Sequence, residues 1–291
     1  MGDDQRVSST PTAADTAAHS SARTTNRSAS STGADGGPAA GSTGLTVPDR
    51  FCGPPGSGNG GWTAGAVAQL LRPHRDGAAR AWRAIEVTLT APPPLGVAMS
   101  GTEEDGVLVV RHDDTVVARG RTVTDDLVAV PPVSPARARE ASAAYPGHGV
   151  HPFPGCFVCG PAHESGLRIF PGPIARPGPH WWAATWTPDD SVQGPAAGGA
   201  PARASVPVTW AALDCIGGWA GDLVERTMVL GRMTARVDAT PVIGAEHVVV
   251  AEARGQDGRK VHAATSLYDA SGTLLATAEQ VWIVLEPEAA S

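Results

Sequence analysis

The sequence predicts an α+β protein: two long helices, each wrapped by an antiparallel β-sheet, behind a disordered N-terminal tail. Three observations lead there. The order strand, helix, then consecutive strands occurs twice, at a spacing of about 120 residues. Both helical segments consist almost wholly of small and apolar residues. Short turn dipeptides, Asp113-Asp114, Asp257-Gly258 and Ser271-Gly272, separate strand-like runs. The 291 residues accommodate about two domains. A hydrophobic content of 42% with 18% charged residues excludes global disorder.

Residues 1–44 are Ser, Thr, Ala, Gly and Asp with almost no large apolar side chain, so burial cannot offset chain entropy and a disordered, solubilising tail is expected. The first structured half covers 45–126. GLTVPDRF predicts a short strand and CGPPGSGNGG a glycine-rich turn. WTAGAVAQLL follows with apolar residues at helical spacing. AIEVTLTAPPPL is a strand stopped by Pro92, Pro93 and Pro94, and VLVVRHDDTVVARGRTV is a pair of strands. Residues 127–165 are proline-rich and contain HPFPGCFVCGPAH, which marks a connector with local structure. In the second half, 166–291, LRIFPGPI and HWWAATWTP are expected strands and VPVTWAALDCIGGWAGDLVER a helix. GRMTARVDATPV, HVVVAEARG, KVHAATSLYDASG and TLLATAEQVWIVL complete it as strands.

The net charge of −7 and pI near 5.7 argue against nucleic acid, since phosphate binding needs clustered cationic side chains. No apolar run approaches the roughly 18 residues that a membrane helix requires, and the start MGDDQRVSST is acidic where a secretory signal is basic. Four cysteines in a chain this long do not form a disulfide scaffold. A cytoplasmic protein without membrane or nucleic-acid partners is therefore expected.

Two features carry chemistry. Gly56-Ser57-Gly58-Asn59-Gly60-Gly61 runs into a helix, whose free backbone N–H groups and positive dipole end face whatever lies there. Asn59 caps that helix or bonds a ligand, and Gly60 and Gly61 admit close approach. The loop lacks the Lys-Ser/Thr ending of a phosphate-binding P-loop and does not fit G-x-G-x-x-G. The second feature is Asp214, an acid within the otherwise apolar or small run AALDCIGG. Such a carboxylate is either a structural group reaching a partner or a general base or nucleophile.

A helix wrapped by an antiparallel sheet, twice over, is the double-hotdog arrangement, and the motif strings agree. GNGGWTAGAVAQLL resembles the glycine pair and glutamine-bearing helix of the acyl-CoA thioesterase II family. TWAALDCIGGWA resembles that family's second helix with its mid-helix aspartate, and SLYDASGTLLATAEQVWIVL resembles its last hairpin. The likeness spans about residues 45–287. It implies hydrolysis of an acyl-CoA or related acyl thioester by base-activated water, with no metal or redox cofactor. Asp214 and Gln280 become the catalytic residues, the glutamine register falling on Glu279 or Gln280. Asn59, Gly60, Gly61, Trp62 and Gln69 become substrate contacts, with the glycine amides stabilising the oxyanion.

The sequence also departs from related patterns. Asn59 stands where single-hotdog enzymes have the histidine of His-Gly-Gly, and their later carboxylate position is Ala68. The water-orienting threonine has no clean counterpart, Thr227 and Thr234 being nearest. Arg72, Arg75 and Arg80 are available to meet CoA phosphates. No Asp-x4-His dyad of the hydratases begins either helix. A non-catalytic acyl-CoA or lipid-binding double hotdog is the alternative, and a homo-oligomer is compatible with both.

Finally, His151, Cys156, Cys159 and His163 have the spacing H-x4-C-x2-C-x3-H, compatible with a compact tetrahedral zinc knuckle. A lone CxxC lacks a second standard pair, and Phe153, Phe157 and Val158 favour a buried apolar connector, so no metal is assigned. Cys215 beside Asp214 is expected as a small core side chain, and Cys52 precedes the glycine loop.

Overall fold

Two glycine-bearing helices pack against each other, and both contact strands of one eleven-stranded sheet. In the computed structural model the described residues are 43–71, 83–124, 126–178, 180–195 and 200–286. The tail expected over 1–44 lies outside them except for Thr43 and Gly44, and so do Arg72, Arg75 and Arg80. The first series of elements is β1 (Thr43–Thr46), α1 (Gly60–Leu70), β2 (Ala84–Leu89), β3 (Ala98–Glu104), β4 (Val107–His112) and β5 (Thr115–Val123). Next come α2 (Pro135–Ala143) and β6 (Gly172–Ile174). The second series is β7 (Trp181–Trp186), α3 (Val206–Ala220), β8 (Met228–Val237), β9 (His247–Asp257), β10 (Lys260–Asp269) and β11 (Leu274–Val284).

The sheet order is β1-β3-β4-β5-β2-β8-β11-β10-β9-β7-β6. Its first five strands, read from the outer edge to β2, have the same chain order as β7, β9, β10, β11 and β8 read inward from the other side. The repetition of strand, helix and four strands is thus a repetition of topology. The two series join where β2 pairs antiparallel with β8, with Ile85 opposite Ala235 and Val87 opposite Met233. These side chains are buried, so the seam between the halves is a continuous core surface.

Four elements differ from the sequence expectation, each for a local reason. β3 is a strand that AMSGTEE does not advertise, being small and polar; it is held between β1 and β4. The Asp105-Gly106 turn that joins it to β4 has positive φ at both residues, 51° and 76°, as a tight two-residue hairpin requires. α2 forms inside the expected connector, with Pro135 at its start and Ser134 Oγ accepting the Arg137 N–H. LRIF is not a strand: Leu167 N–H donates to the Phe157 carbonyl and Ile169 N–H to that of Val158, tying the segment to the cysteine peptide. Only Gly172–Ile174 pairs, against β7. α3 stops at Ala220 rather than reaching Arg226, because Asp222 adopts the left-handed φ of 74° and its N–H turns back to the Trp219 carbonyl.

Glycines set the depth of packing. A Cβ on Gly61 would lie 2.4 Å from Asp214 Cβ, and one on Gly65 would lie 2.6 Å from Trp210 Cβ. Gly61 and Gly65 are one turn apart on α1, as Trp210 and Asp214 are on α3, so the helices cross antiparallel along a glycine seam. On its other side α3 meets the sheet through Gly217, Gly218 and Gly221, which abut Gln280, Trp282 and Val261. Trp210, Trp219, Leu213 and Ile216 fill the space between these layers and are almost fully buried. Among the described residues no helix is long and apolar enough to cross a membrane.

Candidate active site

Asn59 is the N-cap of α1. Its Oδ1 accepts the Trp62 N–H at 2.8 Å, and its backbone carbonyl accepts from Thr63 N–H and Oγ1. The opposite end of the same amide, Nδ2, donates to Asp214 Oδ2 at 3.0 Å. Asp214 Oδ2 also accepts the Gly61 N–H at 2.9 Å. The carboxylate of α3 therefore sits on the N-terminus of α1, where two donors and the helix dipole favour negative charge. The approach is possible because Gly61 has no side chain. Asn is suited to this place, as one side chain supplies both the cap acceptor and the carboxylate donor.

Asp214 is 2% exposed, and its other oxygen, Oδ1, has no hydrogen-bond partner among the described residues. Burial pushes its carboxyl up to about 7, outweighing the Gly61 and Asn59 hydrogen bonds that favour the ionised form. Asp214, Asn59 and Gly60 line a cavity of about 410 Å³, as do Cys156, Cys159 and Cys215. Leu89, Leu223, Met228, Leu230, Trp282 and Ile283 give the cavity a largely apolar lining. The Gly60 N–H donates to nothing among the described residues, whereas the Gly61 N–H is taken by Asp214.

Gln280 lies behind the aspartate rather than in front of it. Its Nε2 donates to the Leu213 carbonyl at 2.7 Å and to the Asp214 carbonyl at 3.3 Å, and its Oε1 accepts the Trp282 Nε1–H at 2.9 Å. Gly217 makes room for it: a Cβ there would lie 1.7 Å from Gln280 Oε1. Glu279 points to the opposite face of the strand and pairs with Arg254 at 2.7 Å. Trp62 is buried and stacks on Phe51, with ring centroids 4.4 Å apart. Gln69 is exposed near the other end of α1, beside a separate cavity of about 250 Å³ that Trp210 and Val237 also line. Neither Thr227 nor Thr234 lines the Asp214 cavity. The structure thus brings Asn59, Gly60, Gly61 and Asp214 together, sets Gln280 one layer back, and leaves Gln69 apart.

Sequence spacing did not indicate the sulfur atoms beside this group. Cys156 Sγ lies 3.6 Å from Cys215 Sγ, and the Sγ atoms of Cys156, Cys159 and Cys215 all fall within 4.8 Å of one another. Only the CxxC was legible in one dimension; Cys215 arrives from α3, 56 positions further on. Of the histidines, His151 Nε2 is 3.3 Å from Cys159 Sγ, while His163 Nε2 lies against the Arg50 carbonyl at 2.8 Å. Cys52 stands apart, its Sγ donating to the Gly155 carbonyl.

No protein-family model matches the sequence, and no curated protein matches it. Solved structures do. The tesB protein of Mycobacterium avium subs. paratuberculosis is 12% identical, with a TM-score of 0.52 over 84% of this chain and 93% of that one. A protein assigned as a thioesterase from Novosphingobium aromaticivorans is 14% identical, with a TM-score of 0.53 over 84% and 96%. A protein assigned as a thioesterase II from Thermobifida fusca is 13% identical, with a TM-score of 0.52 over 85% and 93%. At these identities the likeness is one of fold, and the chain has the hotdog fold of these structures over most of its length.

Proposed function

We propose that the chain is a double-hotdog acyl thioester hydrolase, with acyl-CoA as the substrate class and residues 45–126 and 166–291 as its two halves. The single observation that carries this reading is the buried Asp214 carboxylate, held by one oxygen on the N-terminus of α1 while the other has no partner among the described residues, in a side chain that borders a largely apolar cavity. The names of the structural neighbours support the same chemistry.

In this mechanism the acyl chain lies against the apolar wall and the thioester carbonyl oxygen accepts the Gly60 N–H. Asp214 Oδ1 takes a proton from a water molecule, whose oxygen attacks the carbonyl carbon. The tetrahedral intermediate expels the thiolate as the C–S bond breaks, and the thiolate recovers the proton from Asp214. A single oxyanion donor is worth about 3 to 4 kcal/mol, and a general base about 10²–10⁴ in rate. Gln280 acts through the α3 backbone, fixing the turn that carries the aspartate.

Thiol release from acetyl-, medium-chain, long-chain and aryl-CoA by wild type and Asp214→Asn tests this reading. Turnover by wild type and a loss of about 10²-fold or more in the variant is expected. A second reading, a non-catalytic acyl-CoA-binding protein, is favoured by one observation: the Gly61 N–H is already engaged by Asp214. Calorimetric binding of acyl-CoA with no thiol release by wild type would establish that instead.

A further inference from the structure

The geometry points to a metal site that the hydrolytic reading does not require: we propose that Cys156, Cys159 and Cys215 bind one Zn²⁺ ion as thiolates, with the fourth coordination position facing the Asp214 cavity. The three thiols are free and buried, and they come from two distant parts of the chain. With Zn–S bonds of about 2.3 Å, tetrahedral geometry places two sulfurs about 3.8 Å apart. The Cys156–Cys215 separation is 3.6 Å, and all three sulfurs fall within 4.8 Å of each other. The Cys156–Cys215 pair is already at the spacing a shared ion needs, and the remaining separations require the sulfurs to close by at most about 1 Å, whereas a disulfide would need the sulfurs at about 2.05 Å.

The peptide around the CxxC is shaped to present its sulfurs inward. Cys156 N–H donates to the Phe153 carbonyl and Gly160 N–H to the Cys156 carbonyl, so the segment closes on itself. A Cβ on Gly160 would lie 2.4 Å from both Cys156 N and the Pro154 oxygen, and only glycine permits so tight a turn. Tyr145 Oη anchors the loop by donating to the Cys159 carbonyl at 2.7 Å.

Polar donors surround the sulfurs, which apolar packing alone would not need. Asn59 Nδ2 lies 3.8 Å from Cys156 Sγ and 3.9 Å from Cys215 Sγ. His151 Nδ1 accepts the Phe153 N–H at 2.9 Å, so its Nε2 carries the hydrogen and donates to Cys159 Sγ. His151 is therefore an outer donor to a thiolate, of the kind that tunes sulfur ligands, and the fourth position falls to the cavity that the three cysteines line. Soft sulfur donors in a tetrahedral arrangement select zinc over magnesium or calcium.

The test is the metal content of the full chain, purified under reducing conditions and measured by elemental mass spectrometry, together with a Co²⁺ titration of the metal-stripped protein. About one equivalent of zinc, and a thiolate-to-cobalt charge-transfer band saturating at about one equivalent, are expected for wild type. Cys52→Ser should keep the ion, while Cys215→Ser and Cys156→Ser should lower its content at least about tenfold. Since a cysteine variant can fail to fold, the wild-type cobalt spectrum is decisive on its own. Reduced wild type that takes up neither ion, or shows cobalt bands without thiolate character, overturns the site. His151→Gln should retain zinc; its loss there would overturn the outer-donor role. Metal binding and thioester hydrolysis are read separately, so failure of one leaves the other standing.

Discussion

Asp214 can reach the amide of Gly61 only because position 61 has no Cβ. Gly61→Ala would place a methyl group 2.4 Å from Asp214 Cβ, in a seam where the opposing atoms belong to a helix and cannot swing aside. We expect a loss of about 1–3 kcal/mol in thermal unfolding and weakened thiol release, because the carboxylate loses its helix-end donor. Asn59→Ala removes the cap of α1, at a cost of about 1 kcal/mol, and also the Nδ2 donor to Asp214. Asn59→Asp is a sharper probe: it keeps a cap acceptor but sets a second carboxylate against the first. If the Asp variant retained more activity than the Ala variant, the donor role of Nδ2 would be wrong.

At the scale of elements, the β11–α3 contact decides whether Asp214 is presented correctly. Gln280→Leu deletes the donor to the Leu213 and Asp214 carbonyls and leaves the Trp282 indole N–H without its acceptor. Denaturant unfolding should show a loss of about 1–3 kcal/mol. The KM-against-kcat split separates roles: a positioning residue lowers kcat, whereas a residue touching the acyl chain raises KM. Much of this layer was legible in one dimension. The helical spacing of WTAGAVAQLL and the apolar run around Asp214 located α1 and α3, since period and composition act locally. β3 was not legible, because AMSGTEE has weak strand character and is held in place by β1 and β4. LRIF failed in the other direction, its strand-like composition being captured by the cysteine peptide.

For the whole molecule, the sheet passes through β2 and β8 without a break, so its strands share one folding unit. Stability should therefore respond globally to a single buried group such as His247. Its Nε2 accepts the Val242 N–H, and burial holds its pKa below the ordinary value, with Asp269 and Arg203 acting in opposite directions nearby. Protonation would destroy that hydrogen bond and charge a buried ring. Below about pH 6.5 the unfolded chain binds a proton that the folded chain resists. Stability should therefore fall as pH drops through that value and level off below the folded-state pKa. Denaturant unfolding between about pH 7.5 and pH 5.5 should show a smaller fall in His247→Gln than in wild type. Equal falls in the two proteins would remove His247 as the cause.

Local chemistry determined a great deal by itself. Glycine and proline placed the turns, apolar periodicity placed the helices, and the acid in AALDCIGG marked Asp214 as unusual, because a buried charge requires a partner wherever it lies. What tertiary structure alone decided was who that partner is. Asn59 and Asp214 are 155 positions apart, and the third thiol, Cys215, is 56 beyond the CxxC. These meetings depend on the antiparallel crossing of two helices along Gly61 and Gly65, and no local pattern encodes the depth of such a crossing. The same crossing separates Gln69 from Asp214: α1 continues for about two further turns past Gly61 and carries the glutamine away from the site.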